Sequence, residues 1–402
     1  MRVYMAPCGI GLGHIARIHP IAKELNARGN ITIFSTYLDG LQYARQQALP
    51  TFQAVPINFR VQEDGTIDFK MTAATSGFSL GIRRFLRQVI FEIRFMKLFK
   101  PDIVLSDSRA SSLIASWLLR IPAILMLNQF RVEIIRRPSE RHLSLFDQFF
   151  FLIANLGWLF VRTVIQIVWG RSQTILIPDL PAPYTISVGN LAIPKRYNGK
   201  VKLVGPIVEL EKSTNVSITQ LRKRLNLDSK RPIVYAAVSG PDIERKVLTR
   251  LLINALGQLA TKYEIILSKG EPKGSVEPLS MNGLRIFDWL ENQDEYIRAS
   301  DVIVSRAGHG TIMKSLVYGK PMILIPIPDH TEQYSNARRA EALRVARIVD
   351  QSKVTGDTLD TTLHDLLTDP KYKENADRIQ KKSGSMHGVR IACELVEDAA
   401  SA

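Results

Sequence analysis

Short apolar runs of strand length alternate with helical segments along the whole chain, and this alternation is the feature that most constrains the fold. The runs lie at Val3–Pro7, Ile31–Thr36, Asp102–Asp107 and Ala123–Leu127, and then at Pro232–Ser239, Tyr263–Ser268, Leu284–Trp289, Asp301–Ser305 and Met322–Pro326. Short apolar strands separated by helices form parallel sheets that helices cover on both faces. Because the pattern occurs twice, the sequence predicts an α/β chain with two doubly wound parallel sheets.

The length of the chain agrees with two domains. Its 402 residues exceed one ordinary core and suit two domains of about 150 to 200 residues each. Residues 178–210 are rich in Pro and Gly and show little helical periodicity, which predicts an interdomain connection with a boundary near residue 206. We predict an N-terminal domain over 1–206, a C-terminal domain over 207–380, and a helix over 381–402 that packs back on the N-terminal domain.

Cysteine content and charge narrow the class of protein. The two cysteines, Cys8 and Cys393, lie at opposite ends of the chain, which argues against a disulfide framework or a thiolate metal site. The sequence enters a strand without signal-peptide features, so we expect a cytoplasmic protein. The net charge of +15 points to an anionic partner: nucleic acid, anionic lipid or a phosphorylated substrate. Zinc-finger spacings and aromatic–basic ribonucleoprotein motifs are absent from the sequence, so nucleic acid is not expected.

A glycine-rich turn follows the first predicted strand. Gly9, Gly11 and Gly13 precede a segment of helical periodicity, which indicates a strand, a turn and a helix. In a dinucleotide-binding fingerprint a third glycine comes three residues after the second, and His14 occupies that position here. The residues alone leave three interpretations open: a dinucleotide cradle, a turn that presents His14 for chemistry, or a structural turn in which His14 caps the helix.

A second turn of similar composition follows the predicted strand that ends at Ser305. Residues 308–311, of sequence GHGT, lie between that strand and a predicted helix. Unpaired amide groups and the positive end of a helix dipole form an anion site that suits a diphosphate. The alternative is a plain connection between strand and helix.

Two segments raise the question of a membrane. Residues 145–170 are strongly apolar, but Asp147, Asn155, Arg162 and Gln166 interrupt them, so a buried or interfacial hairpin is favoured over a spanning helix. Residues 82–99 predict a helix with cations on one side and apolar residues on the other. The cations are Arg83, Arg87, Arg94 and Lys97, with Ile90 among them, and the apolar residues are Phe85, Leu86, Val89, Ile93 and Met96. Such a helix binds an anionic interface or covers a core with solvated arginines outside.

The stretch from Phe287 to Ala337 carries a family resemblance. "SRAG" followed by Thr311, then "GKPMILIP" and "EQYSNA", resembles the nucleotide-sugar box of GT-B glycosyltransferases, including plant UDP-glycosyltransferases and MurG-like enzymes with lipid-linked acceptors. In the first half of the chain, "GIGLGHIARIHPIAKEL" and "PDIVLSD" are similar to the glycine-rich loop with its histidine and to the strand that ends in an aspartate. The resemblance implies a GT-B fold, in which two Rossmann-like domains face each other across a cleft. It also implies that the domain over 1–206 binds the acceptor and that the domain over 207–380 binds the nucleotide sugar.

The resemblance also implies roles for individual residues. His14 would be the general base, and Asp107 would hold its imidazole in one tautomer. The nucleotide-sugar site would comprise Gly11, Gly13, Ser239, Gly240, Trp289, Leu290, Arg306, Gly308, His309, Gly310, Thr311, Glu332, Gln333 and Asn336. Within it Trp289 would stack on the base, and Glu332 and Gln333 would bind sugar hydroxyls. The alternatives are core packing for Trp289 and a solvated helix start for the other two.

These observations together predict an inverting, metal-independent glycosyltransferase of the hexosyltransferase type. It would move a sugar from a nucleoside diphosphate donor, a UDP-sugar, to a hydroxyl acceptor that is lipid- or polyprenyl-linked, at the cytoplasmic face of the membrane. The sequence contains no D-x-D motif, and we expect no cofactor and no metal. Two other functions stay open: a non-hydrolysing nucleotide-sugar epimerase, and a non-catalytic subunit that binds a nucleotide sugar or a membrane.

Overall fold

Two separate sheets form the framework of the protein. The computed structural model describes residues 1–57, 69–130, 159–160, 162–209, 216–227, 230–240, 242–328 and 330–401. Within the described residues each sheet contains seven strands, and helices cover both of its faces. The prediction of two doubly wound parallel sheets is therefore confirmed.

The first sheet is parallel throughout its paired strands. Its strands are β1 (Arg2–Pro7), β2 (Ile31–Thr36), β3 (Thr51–Gln53), β4 (Ile103–Asp107), β5 (Ala123–Met126), β6 (Thr174–Ile177) and β7 (Val201–Leu203). They are ordered β3-β2-β1-β4-β5-β6-β7, so the winding direction reverses between β1 and β4. Pro7 lies opposite Asp107 in the register, and the ends of these two strands meet at the switch point where ligands bind in such sheets.

Helices cover this sheet in two layers. They are α1 (Gly13–Ala27), α2 (Leu38–Gln46), α3 (Phe69–Phe99), α4 (Ala110–Leu118), α5 (162–169) and α6 (Val188–Leu191), and a 3-10 turn follows at Lys195–Lys200. The apolar stripe Ile15, Ile18, Ile21, Ala22 and Leu25 buries α1 against one face of the sheet. Helices α3, α4 and α5 pack against the opposite face through a separate apolar cluster.

The second sheet repeats the winding of the first. Its strands are β8 (Ile233–Ala237), β9 (Glu264–Ser268), β10 (Leu279–Met281), β11 (Leu284–Phe287), β12 (Val302–Ser305), β13 (Met322–Leu324) and β14 (Ala346–Ile348). Their order is β10-β11-β9-β8-β12-β13-β14, and the switch point lies between β8 and β12. Strand β10 pairs with β11 in antiparallel fashion, and the other pairs of this sheet are parallel.

Eight described helices follow the predicted interdomain connection. They are α7 (Ile218–Arg224), α8 (Asp242–Gly257), α9 (Gln293–Ala299), α10 (His309–Val317), α11 (Thr331–Ala342), α12 (Gly356–Thr368), α13 (Pro370–Ser383) and α14 (Gly388–Ser401), with a 3-10 turn at Gln351–Lys353. Leu180 and Ile186, between β6 and β7, pack in the same apolar cluster as Ala307 and Ile312. The first part of the predicted connection thus belongs to the core beside the second sheet, whereas Val204 and Ile207 at its other end pack in the core of the first sheet.

The last helix returns to the first sheet. Ala392, Cys393 and Val396 of α14 belong to the apolar cluster that buries α1. The Cys393 thiol donates to the carbonyl oxygen of Ile21 over 3.6 Å. This contact ties the C-terminal end of the chain to the N-terminal half.

Part of the apolar segment 145–170 lies outside the described residues, namely 145–158 and 161. Of the remainder, 162–169 is helical, and Trp169 packs on Phe130 with ring centroids 5.6 Å apart. A search of the described residues finds no helix with the length and apolar character needed to cross a membrane.

Candidate functional site

The glycine-rich turn after β1 brings His14 beside Asp107. Asp107 is the last residue of β4, and His14 is the second residue of α1. Gly9 has no room for a side chain, because a Cβ there would lie 2.1 Å from the carbonyl oxygen of Tyr37. Gly11 has a φ of +67°, a conformation that favours glycine. These two glycines let the chain turn tightly enough for His14 Nδ1 to approach Asp107 Oδ1 to 2.8 Å.

Arg17 completes this group from the next turn of α1. Its Nε donates to Asp107 Oδ2 over 2.7 Å, and its Nη2 donates to Oδ1 over 2.5 Å. Burial by itself would raise the pKa of Asp107, but the charges of Arg17 and His14 outweigh it and lower that pKa to about 2. Sequence reasoning missed Arg17, although its spacing of three residues from His14 places both on one helix face.

The arrangement of these three residues suits general base chemistry. A carboxylate that accepts the Nδ1 proton of an imidazole leaves Nε2 as the nitrogen able to take a proton. Asp107 is fully buried, whereas 28% of the His14 side chain is exposed. The histidine is therefore oriented from the protein side and accessible from the cleft side.

Hydrogen bonds join the group of His14, Asp107 and Arg17 to the second half of the chain. Asn128, two residues after β5, accepts a hydrogen bond from Arg17 Nη1 over 3.0 Å. Its amide nitrogen donates to Glu332 Oε1 over 2.8 Å. Glu332 lies in the first turn of α11, so the predicted sugar-binding residue faces the predicted catalytic residues across the cleft.

The second glycine-rich turn forms the N-terminus of α10. Gly308 is the N-cap residue of this helix, and His309 is its first residue. A Cβ at Gly308 or at Gly310 would meet no other heavy atom within 4 Å, and Gly310 is exposed. Thr311 is half-buried one residue further on. The turn therefore presents backbone to an open space at a positive helix end, as an anion site requires.

His309 does not point into that open space. It is 4% exposed, and its Nε2 lies 3.2 Å from Asp179 Oδ2 without the alignment of a hydrogen bond. Asp179 also accepts hydrogen bonds from the backbone N–H groups of Leu180, Ile186 and Ser187. Burial by itself would raise the pKa of Asp179, but the charge of His309 and the hydrogen bonds from Ser187 outweigh it and lower that pKa to about 2. His309 thus fixes the turn to the chain that follows β6.

The loop after β8 faces the first glycine-rich turn. Gly240, next to Ser239, has a φ of +115°, and a Cβ on Gly11 would lie 3.9 Å from its Cα. Arg245 donates to the Gly240 carbonyl oxygen over 2.8 Å and lies 3.5 Å from Asp39. Asp39 accepts a hydrogen bond from the amide of Gly11 over 3.0 Å. The glycine turns of the two halves therefore meet at one edge of the cleft.

Trp289 lies at another edge of the same cleft. Its ring is half-buried and packs edge-on against Tyr43 of α2, with centroids 6.1 Å apart. The Tyr43 hydroxyl lies 3.0 Å from Nδ1 of His19. Leu290, by contrast, is buried in the core beside the second sheet. Trp289 stays near the cleft, while Leu290 supports it from inside.

Three predicted binding residues lie beneath the cleft surface. Arg306 is 1% exposed and donates to Gln351 Oε1 over 2.5 Å, and burial lowers its pKa to about 10. Gln333 Oε1 accepts from the amide of Ile327 over 2.9 Å, and Asn336 donates to the Ala307 carbonyl oxygen over 3.2 Å. The structure does not bring these side chains to the surface of the turn, because each holds neighbouring backbone or core groups.

The described residues contain no cluster of three or more histidine, cysteine, aspartate or glutamate side chains arranged to hold a metal ion. The groups that the cleft does offer to an anion are backbone amides, the N-terminus of α10, and the partly exposed Thr311.

Comparisons with known proteins agree with this architecture. Residues 244–389 match the glycosyltransferase family 28 C-terminal domain. An uncharacterized glycosyltransferase of Methanosarcina acetivorans is 26% identical over 405 residues, which cover 99% of this chain and 98% of that protein. The UDP-N-acetylglucosamine–N-acetylmuramyl-(pentapeptide) pyrophosphoryl-undecaprenol N-acetylglucosamine transferase of Geobacillus thermodenitrificans is 28% identical over 208 residues, 50% of this chain and 56% of that protein.

The solved structures that resemble this one extend over the whole chain. The glycosyltransferase VinC, in complex with dTDP, superposes with a TM-score of 0.63 at 18% identity and covers all of both chains. At this identity the likeness shows the fold, and that fold is GT-B. The chain is therefore a glycosyltransferase with the GT-B fold, and its residues 244–389 are similar to the glycosyltransferase family 28 C-terminal domain.

Proposed function

We propose that this glycosyltransferase moves a sugar from a nucleoside diphosphate sugar to a hydroxyl group of an acceptor, with inversion at the anomeric carbon. The observation that carries the proposal is the group formed by His14 and Asp107 at the switch point of the first sheet. It lies on the cleft that Glu332 and the second glycine-rich turn border from the other half.

The donor side of the proposal rests on the turn before α10. Gly308 and Gly310 leave the backbone accessible, and the helix N-terminus offers partial positive charge to a diphosphate. The Geobacillus relative is named for UDP-N-acetylglucosamine, and the VinC structure holds a nucleoside diphosphate. These names support a nucleoside diphosphate sugar here, and a UDP-sugar is the donor that we propose. We assign contact with the base to Trp289, whose half-buried ring packs edge-on against Tyr43.

The proposed reaction is a single displacement. Nε2 of His14 takes the proton of the acceptor hydroxyl while that oxygen forms a bond to the anomeric carbon. The bond between that carbon and the diphosphate oxygen breaks on the opposite face, and the electron pair leaves with the diphosphate. Preorganised amides at the start of α10 stabilise the charge that develops there. No step of this sequence requires a metal ion.

Buried residues support the donor site from below. Arg306, Gln333 and Asn336 hold the backbone on both sides of the turn, so we assign them the role of fixing its shape. We assign the sugar hydroxyl to Glu332, whose carboxylate is half-buried and joined to the His14 group through Asn128. For Gln333 we therefore propose a structural role, in which it binds the backbone amide of Ile327, in place of the sugar binding that the resemblance implies.

The acceptor that we propose is lipid- or polyprenyl-linked, because α3 presents an apolar and basic surface. Within 81–99, the exposed apolar residues Ile82, Leu86, Ile90, Phe91 and Leu98 lie among the exposed cations Arg83, Arg87, Arg94 and Lys97. The acidic residue of this stretch, Glu92, is buried and paired with Arg109. A surface with exposed hydrocarbon and cations alone suits an anionic membrane.

Leu86 differs from its predicted position. The periodicity of α3 predicts it on the apolar side of the helix, but it is 54% exposed, while Val89 and Met96 face the core. Helices α4 and α5 lie on the same face of the sheet and expose Trp117, Leu118, Val164 and Ile167. Exposed apolar residues therefore occur on α4 and α5 as well as on α3. We propose peripheral binding at the cytoplasmic face of the membrane.

A donor screen tests the catalytic proposal. Nucleotide sugars are compared for thermal stabilisation of the protein, and the best donor is then incubated with lipid extracts and with water-soluble acceptors. We expect nucleoside diphosphate release together with glycosylated lipid, and an inverted anomeric configuration by NMR. Epimerised donor without diphosphate release would favour the epimerase, and a retained configuration would contradict the single displacement.

Vesicle binding tests the membrane proposal. Each cation near an anionic surface contributes about 1 kcal/mol at low salt. Arg87→Glu together with Arg94→Glu should therefore remove most of the salt-sensitive binding to vesicles of anionic lipid. A matched control reverses Lys381 and Lys382, two exposed cations on α13, and changes the net charge equally. Equal loss in both variants would show that net charge, and not the α3 surface, causes binding.

A further inference from the structure

A buried series of hydrogen bonds crosses the cleft between the two halves of the chain. It runs from His14 to Asp107 over 2.8 Å, from Asp107 to Arg17 over 2.5 and 2.7 Å, from Arg17 to Asn128 over 3.0 Å, and from Asn128 to Glu332 over 2.8 Å. We call these five residues the relay. Its two ends are the residues that we propose as general base and as sugar-binding carboxylate.

The fold places the middle of the relay where it can join the two ends. Met126, the last residue of β5, lies opposite Asp107 in the register, and Asn128 follows two residues later. Arg17 extends from α1 toward both Asp107 and Asn128. Asp107, Arg17 and Asn128 are all buried, which strengthens hydrogen bonds between them and makes each unpaired group costly.

The chemistry of position 128 is specific to an amide. The side-chain oxygen of Asn128 accepts from a guanidinium, and its nitrogen donates to a carboxylate. A carboxylate at this position would match Arg17 but repel Glu332. An apolar side chain would leave a buried arginine and a carboxylate with one hydrogen bond fewer each. Asparagine satisfies a cation on one side and an anion on the other.

We infer that Arg17 and Asn128 are positioning residues that couple a sugar bound at Glu332 to the orientation of His14. The inference rests on the proposed function, because it takes His14 as the base and Glu332 as the residue that binds the sugar. A sugar hydroxyl that binds the Glu332 carboxylate orders its side chain. Asn128 and Arg17 then hold Asp107, and Asp107 holds the imidazole. Donor recognition and base alignment thereby depend on the same buried groups.

Asn128→Ala is the first test, with the nucleoside diphosphate as the probe of fold and donor pocket. Loss of hydrogen bonds to charged groups should lower kcat about 10-fold to 100-fold. The Kd for the nucleoside diphosphate should stay near that of the unmodified protein, because this ligand carries no sugar for Glu332 to bind. A structural defect would weaken both.

Asn190→Ala is the matched control. Asn190 also joins the two halves, since it donates to Asn336 Oδ1 over 2.9 Å and approaches the Glu332 carbonyl oxygen at 3.4 Å. The described contacts of Asn190 do not include Arg17 or Asp107. We expect a smaller loss of kcat in this variant. Equal losses of kcat in both variants would overturn the inference, because any weakened interdomain contact would then have the same effect.

An exchange of chemical groups tests the coupling directly. Asn128→Asp should impair catalysis, since it sets two carboxylates against each other, and Glu332→Gln removes the charge that binds Asn128. In the double variant the amide introduced at position 332 can donate to the carboxylate introduced at position 128. Its kcat, relative to that of the unmodified protein, should therefore exceed the product of the relative kcat values of the two single variants. Multiplicative effects would overturn the coupling.

Arg17→Lys covers the case in which the Asn128 variants fail to fold. It keeps the positive charge but loses the planar fork that binds Asp107 and Asn128 together. We expect a lower kcat and an unchanged Kd for the nucleoside diphosphate, and a normal kcat would overturn the inference. His14→Ala separates the two levels of the argument. If His14→Ala retains turnover, the proposed function fails. If His14→Ala loses turnover, but the effects of Asn128→Asp and Glu332→Gln on kcat simply multiply in the double variant, only the relay is rejected.

Discussion

The two glycine-rich turns of this protein share a plan and differ in what they expose. Each follows a strand beside the switch point of its sheet and opens a helix, α1 or α10. Each places a histidine next to a buried aspartate whose pKa is lowered to about 2, Asp107 for His14 and Asp179 for His309. Yet 28% of the His14 side chain is exposed, whereas His309 is 4% exposed.

The difference lies in where each aspartate comes from. Asp107 ends a strand of the sheet that also carries the first turn, so His14 is oriented by its own domain and keeps one side toward the cleft. Asp179 comes from the chain after β6, and its contact with His309 joins that chain to the second turn. A histidine beside a carboxylate is therefore not by itself a base, because exposure decides whether a substrate can reach it.

The largest effect that this comparison predicts is on turnover. His14→Ala should lower kcat by about 100-fold or more, the scale of a positioned general base, while the Kd for the nucleoside diphosphate stays nearly unchanged. Steady-state kinetics and calorimetry measure the two quantities. His309→Ala should lower kcat by much less at saturating donor. If the two variants lost turnover equally, the assignment of the base to the first turn would be wrong.

The next effect is on donor affinity. Gly310→Val adds a side chain where the turn offers its backbone, so the Kd for the nucleoside diphosphate should rise about 10-fold or more, the cost of one or two lost hydrogen bonds to a charged group. Neither Gly310 nor Gly81 has a heavy atom within 4 Å of its ideal Cβ position. Gly81→Val, in α3, is thus the control for the cost of valine in a helix. Parallel losses of melting temperature and affinity at Gly310 would indicate a purely structural turn.

The sequence predicts the framework of this protein better than its site. All nine predicted apolar runs contain strands, because buried parallel strands are apolar along their length. Strands β3, β7, β10 and β14 were not predicted, because they lie at the edges of the two sheets, are mostly half-buried or exposed, and carry no continuous apolar run. The inner strand β6 was also not predicted. His14 and Asp107 could be named from the resemblance, but Arg17, Asn128 and the partnership of His309 with Asp179 depend on contacts between distant segments.

A smaller effect concerns stability. Here His309, and not His14, should have the larger effect when it is replaced. His309 is buried against Asp179, so His309→Gln should lower the free energy of unfolding by about 1–2 kcal/mol, the usual range for a lost buried polar contact. His14→Gln should lower it by less, because Arg17 still donates two hydrogen bonds to Asp107. Urea unfolding at neutral pH measures both. A larger loss at His14 would mean that the first turn, and not the second, holds the structure together.

The last effect concerns the pH dependence of stability. Asp107 and Asp179 have pKa values lowered to about 2 in the folded protein, so between about pH 4 and pH 2 the unfolded chain binds more protons than the folded one. The free energy of unfolding should therefore fall as the pH decreases through this window, by about 2 kcal/mol for each carboxylate.

The two histidines should contribute unequally to that slope. The largest favourable charge on Asp179 is that of His309, whereas for Asp107 it is that of Arg17, with His14 second. His309→Gln should therefore flatten the dependence of stability on pH between 4 and 2, while His14→Gln should leave most of it in place. Unfolding curves recorded at intervals across this window compare the three proteins. If His14→Gln flattened the curve as much as His309→Gln, Arg17 would not be the main partner of Asp107, and the contrast between the two turns would not extend to their electrostatics.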